Sequence, residues 1–243
     1  MSRKRLTVCM LGLASLVMLA LLLSGCARML DKGGGQEGPE EGPPRAIIVI
    51  DASQSILGNW DLIQQAVQTF VKRFQMERDT DLVIIRLDSK PRVVQKVAES
   101  RTTAKQWEEF QSEFKHPDAP GAGTDQIGAM ELVLQECQDN PRVKPESVAL
   151  LYFSDMLAEQ PVGQRGVFRE WSEFDWTSLK EKGISAGFYV FQDATHSKAA
   201  EHRRVVEGLK AASVDAGLLA DWVDSLTLKD DLEHGRFRGP AFQ

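Results

Sequence analysis

From position 46 onward the chain alternates short apolar runs with longer stretches whose apolar residues recur every three or four positions. Ala46 to Asp51, AIIVID, is apolar almost throughout and rich in β-branched residues, the pattern of a strand covered on both faces. Leu62, Ile63, Ala66, Val67, Phe70, Val71 and Phe74 then recur at helical spacing. Leu82 to Leu87 predicts a second strand, and Ser89-Lys90-Pro91 a turn into Arg92 to Ala98, whose alternation predicts an edge strand paired as a hairpin. Thr103 with Gln106 fits a capping box ahead of a helix that buries Trp107, Phe110 and Phe114. Another helix is predicted from Asp125, with Ile127, Met130, Val133, Leu134 and Cys137 turned inward. Ser147 to Phe153 and Ile184 to Phe191 predict two more covered strands, and the segments from Ser197 and from Leu218 read as closing helices. Strands alternating with helices imply an α/β fold. It is a Rossmann-like, doubly wound, mostly parallel sheet with one antiparallel edge strand, right-handed crossovers and helices on both faces. Such sheets bind ligands at the carboxyl ends of their strands, where the strand order reverses.

The first 45 residues follow a different rule. Arg3, Lys4 and Arg5 precede an apolar run from Leu6 to Leu23, then Ser24 and Gly25 before Cys26, so residues 1–25 read as a secretory signal peptide. Leu23-Ser24-Gly25-Cys26 resembles the bacterial lipobox, which implies lipidation of Cys26 and retention in the cell envelope; the alternative is an uncleaved transmembrane helix, since the run is about long enough to span. More than one acyl chain on Cys26 would anchor the protein stably to a membrane. Ala27 follows where inner-membrane retention often resembles Asp, which favours an outer membrane facing the periplasm if the cell has one. Residues 26–45 contain DKGGGQEGPEEGPPR, too poor in apolar groups to order itself, and read as a tether. Residues 46–228 are then one domain and 229–243 a polar C-terminal tail.

Composition narrows the function. With 42% hydrophobic and 26% charged residues in 243, the chain is long enough for one sizeable core. The 29 Lys and Arg against 35 Asp and Glu leave a net charge of −6, which argues against nucleic acid as the main partner. Cys9 lies in the leader and Cys26 would carry lipid, so Cys137 has no cysteine to pair with inside the domain and reads as a small buried hydrophobe.

The chemistry gathers at predicted strand ends. The first strand finishes in Asp51-Ala52-Ser53-Gln54-Ser55; Gly121-Ala122-Gly123 delivers Thr124 to the start of a helix; the strand VALLYF finishes in Ser154-Asp155. Three separate loops on the carboxyl side each supply oxygen donors. These residues resemble the metal-ion-dependent adhesion site of the von Willebrand factor type A family, over roughly Ala46 to Leu226. The resemblance implies that Ser53 and Ser55 contact a metal directly, Thr124 directly in one state and through water in another, and Asp51 and Asp155 mainly through bound water. Gln54 stands where the family often has glycine and Ile56 where it often has methionine, departures that bear on loop shape more than on ligation. A donor set of oxygens alone selects hard cations, Mg²⁺ or Mn²⁺. Three neutral hydroxyls with two carboxylates held largely beyond the first ring of ligands leave the ion under-neutralised. An exposed Asp or Glu of a protein partner would complete its shell. Taken singly the same residues have plainer roles, as turn and helix caps and a loop carboxylate.

Between Met156 and Thr177 runs a long connection on the same side of the sheet. Its aromatic residues Phe168, Trp171, Phe174 and Trp176 form either a partner-selecting wall or a stripe packing a short helix onto the core. His116, His196, His202 and His234 have no metal-pair spacing and read as solvated. The Gly121–Thr124 loop lacks the Lys-Ser/Thr ending of a phosphate loop, so no nucleotide is expected, and Ser53 has neither a nucleophile elbow nor a histidine partner. The expectation is a non-enzymatic, membrane-anchored, cation-dependent protein-binding module. The alternatives are a scaffold of the same fold that binds without metal and, more distantly, a metal-dependent hydrolase.

Overall fold

A computed structural model of the protein describes residues 44–53, 55–77, 81–97, 123–138, 148–158, 169–192 and 199–240. The leader, Cys26, most of the tether, Phe168 and the helix expected after Thr103 lie outside these residues.

Six strands form one sheet in the order β3-β2-β1-β4-β5-β6. They are β1 (Arg45–Asp51), β2 (Asp81–Leu87), β3 (Arg92–Val97), β4 (Val148–Ser154), β5 (Ser185–Val190) and β6 (Ala220–Asp224). Only the β2–β3 pairing is antiparallel. Helices α1 (Trp60–Glu77), α2 (Gln126–Gln138), α3 (Thr177–Glu181), α4 (Ala199–Asp215) and α5 (Ser225–Glu233) complete the described elements, with short 3₁₀ turns at Leu57–Asn59 and Trp171–Glu173. This is the expected Rossmann-like architecture, with the antiparallel strand on the predicted edge.

The central strands are buried along their whole length because alternate residues feed two separate cores. Ile47, Val49, Val83 and Leu150 pack with Met130 and Val133 of α2, whereas Ile48, Ile50, Ile84 and Leu151 pack with Ile63, Val67 and Phe70 of α1. Each such side chain, fully removed from water, contributes roughly 1.5–3 kcal/mol. The chain winds from β1 outward through β2 to β3, then returns to the other side of β1 and winds outward through β4, β5 and β6. The order therefore reverses between β1 and β4, which places the crevice between their carboxyl ends.

The C-terminal third departs from the sequence reading. The segment from Leu218 is a strand followed by a helix rather than one helix. Gly217, at φ 68°, ends α4 in the left-handed region, and the Leu218 amide turns back to the Ser213 carbonyl at 3.0 Å. Trp222 of β6 then stacks on Phe188 with centroids 4.4 Å apart, and the Asp224 carboxylate caps α5 by accepting from the Thr227 amide at 2.8 Å. Leu218, Trp222 and Leu226 lie four apart, which mimics a helical stripe, but Leu226 is 78% exposed. The tail is likewise structured: α5 runs to Glu233, Phe237 is buried with its ring 5.6 Å from that of Tyr189, and Gly239 lies against Phe70. The packed domain thus extends past 228 to Pro240. His202 is buried in α4 rather than solvated, whereas His234 is exposed.

Candidate functional site

Parallel β1 and β4 are neighbours in register, so their carboxyl ends bring Asp51 and Asp155 to the same end of the sheet. Asp51 is the last residue of β1, and the Ala52 amide bonds to the Leu87 carbonyl at 2.9 Å, tying the following loop to the end of β2. Asp51 Oδ1 accepts from the Ser53 amide at 2.8 Å, which bends the loop. Ser53 Oγ lies 2.9 Å from Ser55 Oγ, and Ser55 Oγ donates to Asp155 Oδ2 at 2.6 Å. Asp155 repeats the device used by Asp51: its Oδ1 accepts from the amide two residues on, Leu157, at 2.9 Å. In each carboxylate one oxygen shapes its own loop and the other faces a serine. Met156, at φ 63°, is the one non-glycine residue in the left-handed region among the described residues. Such a conformation costs about 1 kcal/mol or more, and here it turns the Met156 amide onto Ser154 Oγ (2.9 Å) and its carbonyl onto the Trp171 indole N–H (2.9 Å).

Thr124 is buried at the mouth of α2. The helix cap is Asp125, whose Oδ1 accepts from the Gly128 amide at 2.9 Å, so Thr124 is not needed as the N-cap. The Asp125 amide bonds to the Asp88 carbonyl at 3.0 Å, fixing the Thr124 loop to the end of β2 beside the Asp51 loop. Ser53, Ser55 and Asp155 are thus joined directly and Asp51 is joined to Ser53; Thr124 occupies the third loop. Gln54 lies outside the described residues, and Ile56 is a core residue below the loop.

Sequence reasoning missed a second layer. Ser154 Oγ donates to Asp51 Oδ2 at 2.7 Å, Gln126 Nε2 donates to Ser154 Oγ at 2.9 Å and to the Leu157 carbonyl at 3.2 Å, and the Tyr152 hydroxyl donates to Gln126 Oε1 at 2.6 Å. The available signal was Gln126 itself, a polar residue at helical spacing from Met130, Val133 and Cys137 on an otherwise apolar stripe.

Burial, and next the charge of Asp155, push the Asp51 carboxyl up to about 7, against the opposing hydrogen bonds from Ser154 and Ser53. The charged group acting on it, among the described residues, is another carboxylate. Among the described residues no cluster of three or more His, Cys, Asp or Glu is present, so a cation would have to be held by hydroxyls together with this carboxylate pair. The residues fit that task. Octahedral Mg²⁺ with bonds of about 2.0–2.1 Å sets neighbouring ligands about 2.9 Å apart, and the two serine oxygens are 2.9 Å apart.

The aromatic segment is mostly core. Trp171 and Trp176 are only 8% and 5% exposed, stacked with centroids 5.6 Å apart, and Trp176 meets Phe188 edge-on. Of the two readings of this segment, these burials match the stripe packed onto the core, and Phe174 is half-buried against both rings. The two tryptophans border a groove of about 590 Å³ that begins at Met156, next to Asp155, and runs along α4 past Arg204 and Leu209. Cys137 is packed partly into the core, and burial pushes its thiol up to about 12, far from a reactive thiolate.

No family model and no curated protein matches the sequence. Solved structures do match in fold. The pilus adhesin SpaC from Lactobacillus rhamnosus GG superposes with a TM-score of 0.52 at 12% identity, covering 80% of this chain and 30% of that one. Proximal thread matrix protein 1 from the mussel byssus gives 0.50 at 12% identity, covering 81% and 48%. A von Willebrand factor type A protein from Catenulispora acidiphila gives 0.49 at 14% identity, covering 81% and 42%. The chain spans less than half the length of each, and at these identities the likeness is one of fold. The β3-β2-β1-β4-β5-β6 order, the single antiparallel edge and the helices on both faces are those of the von Willebrand factor type A fold.

Proposed function

We propose that this protein is a membrane-anchored, non-enzymatic binding module that grips an acidic side chain of a protein partner through Mg²⁺ or Mn²⁺. The observation that carries the reading is the meeting of Ser53, Ser55, Asp51 and Asp155 at the reversal point of the sheet, with the Asp155 carboxylate close enough to oppose the charge of Asp51. Ser53, Ser55 and Thr124 would hold the ion, with Asp51 and Asp155 balancing part of its charge. The ion would supply the positive field and the vacant position that a partner's Asp or Glu fills. Adhesive relatives in fold, such as the SpaC pilus adhesin, support a role in protein interaction. The lipidated Cys26 would hold the module to an envelope membrane, with the tether giving it reach.

The scaffold reading also has an observation behind it. The Ser55–Asp155 and Ser53–Ser55 bonds satisfy the site from within, as a module that binds partners elsewhere would need. The two readings separate in living cells by crosslinking the full chain to its neighbours and identifying the captured proteins. Cation-bridged binding predicts that capture is lost in excess chelator and in the Ser53→Ala, Asp155→Ala double variant. Capture that survives both overturns it in favour of the scaffold.

A further inference from the structure

Gln126 is fully buried, as are Tyr152 and Ser154, and Asp51 is 1% exposed. A primary amide taken out of water costs several kcal/mol unless its donors and acceptor are all engaged. Here they are. Oε1 accepts from the Tyr152 hydroxyl, and the two Nε2 protons go to Ser154 Oγ and the Leu157 carbonyl. The orientation of the amide is forced, because the Leu157 carbonyl can only accept; a flipped amide would set two acceptors against each other. Ser154 Oγ accepts from both Gln126 and the Met156 amide, so its single proton is directed to Asp51 Oδ2. The chain of bonds therefore has one direction, from Tyr152 through Gln126 and Ser154 to Asp51.

Gln126 stands two residues after Thr124 on the first turn of α2 and reaches across to the Asp155 loop on either side of that residue, to Ser154 just before it and to Leu157 two positions after it. Through Ser154 it also reaches Asp51. One side chain thereby links all three loops that carry the proposed ligands. We infer that Gln126 is a positioning residue for the cation site: it fixes how far Thr124 stands from the Asp51 and Asp155 loops, and it supplies, through Ser154, the hydrogen bond that orients Asp51. This rests on the cation-binding reading above. Residues that orient metal ligands typically alter affinity by about 10–100-fold when changed.

The test is Mn²⁺ binding to the full chain, followed by electron paramagnetic resonance, for wild type, Gln126→Met, Tyr152→Phe and Ile127→Val, with melting of the cation-free proteins in parallel. Gln126→Met keeps the volume and removes all three hydrogen bonds; it should weaken Mn²⁺ at least about tenfold and broaden the spectrum of the bound ion. Tyr152→Phe removes a single hydroxyl and keeps the fold within reach if Gln126→Met does not fold; it should weaken Mn²⁺ by about threefold. Ile127→Val loosens the same helix turn through its core contact alone, and should lower the melting temperature without changing Mn²⁺ affinity or spectrum. Wild-type affinity and spectrum in either network variant, or an equal loss in Ile127→Val, would overturn the positioning role while leaving the cation site intact. Failure of wild type itself to bind Mn²⁺ would overturn both.

Discussion

Asp51 shows how much one residue carries at this site. Its Oδ1 shapes the serine loop, its Oδ2 receives the one-way chain from Tyr152, and its burial beside Asp155 makes its negative charge costly. The sign of the pH effect follows. Asp51 binds its proton more tightly in the folded protein, near 7, than in an unfolded chain, near 3.8, so between those values folding takes up a proton. Its contribution to the stability of the cation-free protein is greatest below the lower value and declines as pH rises towards the upper one. Thermal melts of cation-free wild type and Asp51→Asn across that range should show wild type losing stability relative to the variant as pH rises; parallel profiles would contradict the assignment. The oxygen donors Asp51, Ser53, Ser55, Thr124 and Asp155 were legible in the sequence because each follows a recognisable apolar run or opens an amphipathic helix. Gln126, Ser154 and Tyr152 were not legible as a network. Their meaning depends on β1, β4 and α2 being neighbours, and no local pattern encodes that distance.

At the scale of elements, the long buried strands were the most legible and the last part of the domain the least. β1, β2 and β4 are mostly apolar runs because helices cover both faces, and their shortness, their β-branched residues and their polar flanks mark them as strands. β6 has five residues, sits at the edge and is at most half-buried, so its apolar pattern is weak and its pairing with β5 is what marks it as a strand. The tail misled for a related reason: a polar segment needs only one or two well-placed apolar residues to dock, and here Phe237 is that residue. Phe237 packs beside Leu228 and Tyr189 on the α1 side of the sheet, and Arg73 of α1 holds the following turn by donating to the Arg238 carbonyl at 2.9 Å. Phe237→Ala should therefore cost about 3 kcal/mol, as core deletions of this size do, where a frayed tail would cost nothing. Chemical denaturation of the full-length variant measures this, and an unchanged midpoint would show that the tail is not part of the core.

For the molecule as a whole, the fold and the proposed function meet at the reversal point between β1 and β4. Two sub-chains of the sheet wind away from it in opposite directions, so the loops leaving it diverge and open a crevice at that point. Two of the loops are tied by backbone bonds to the end of β2 and the third is shaped by the Asp155 carboxylate accepting from the Leu157 amide, which preorganises the hydroxyls and carboxylates at little further cost in entropy. The groove along Trp171 and Trp176 begins at Met156, the residue after Asp155, and so borders the surface that a partner held at the proposed site would meet. The general architecture could be read from periodicity alone, whereas the shape of that surface depends on the packing of α4 against the Trp171–Glu173 turn. A cation bound only by the folded state must also stabilise it, by an amount that grows with the logarithm of its concentration over its dissociation constant. The central claim is tested most directly by calorimetric titration of the chelator-treated full chain with Mn²⁺. The account predicts saturable uptake of one ion per chain, abolished by Ser53→Ala combined with Asp155→Ala; no uptake by wild type, or equal uptake by the double variant, would contradict it.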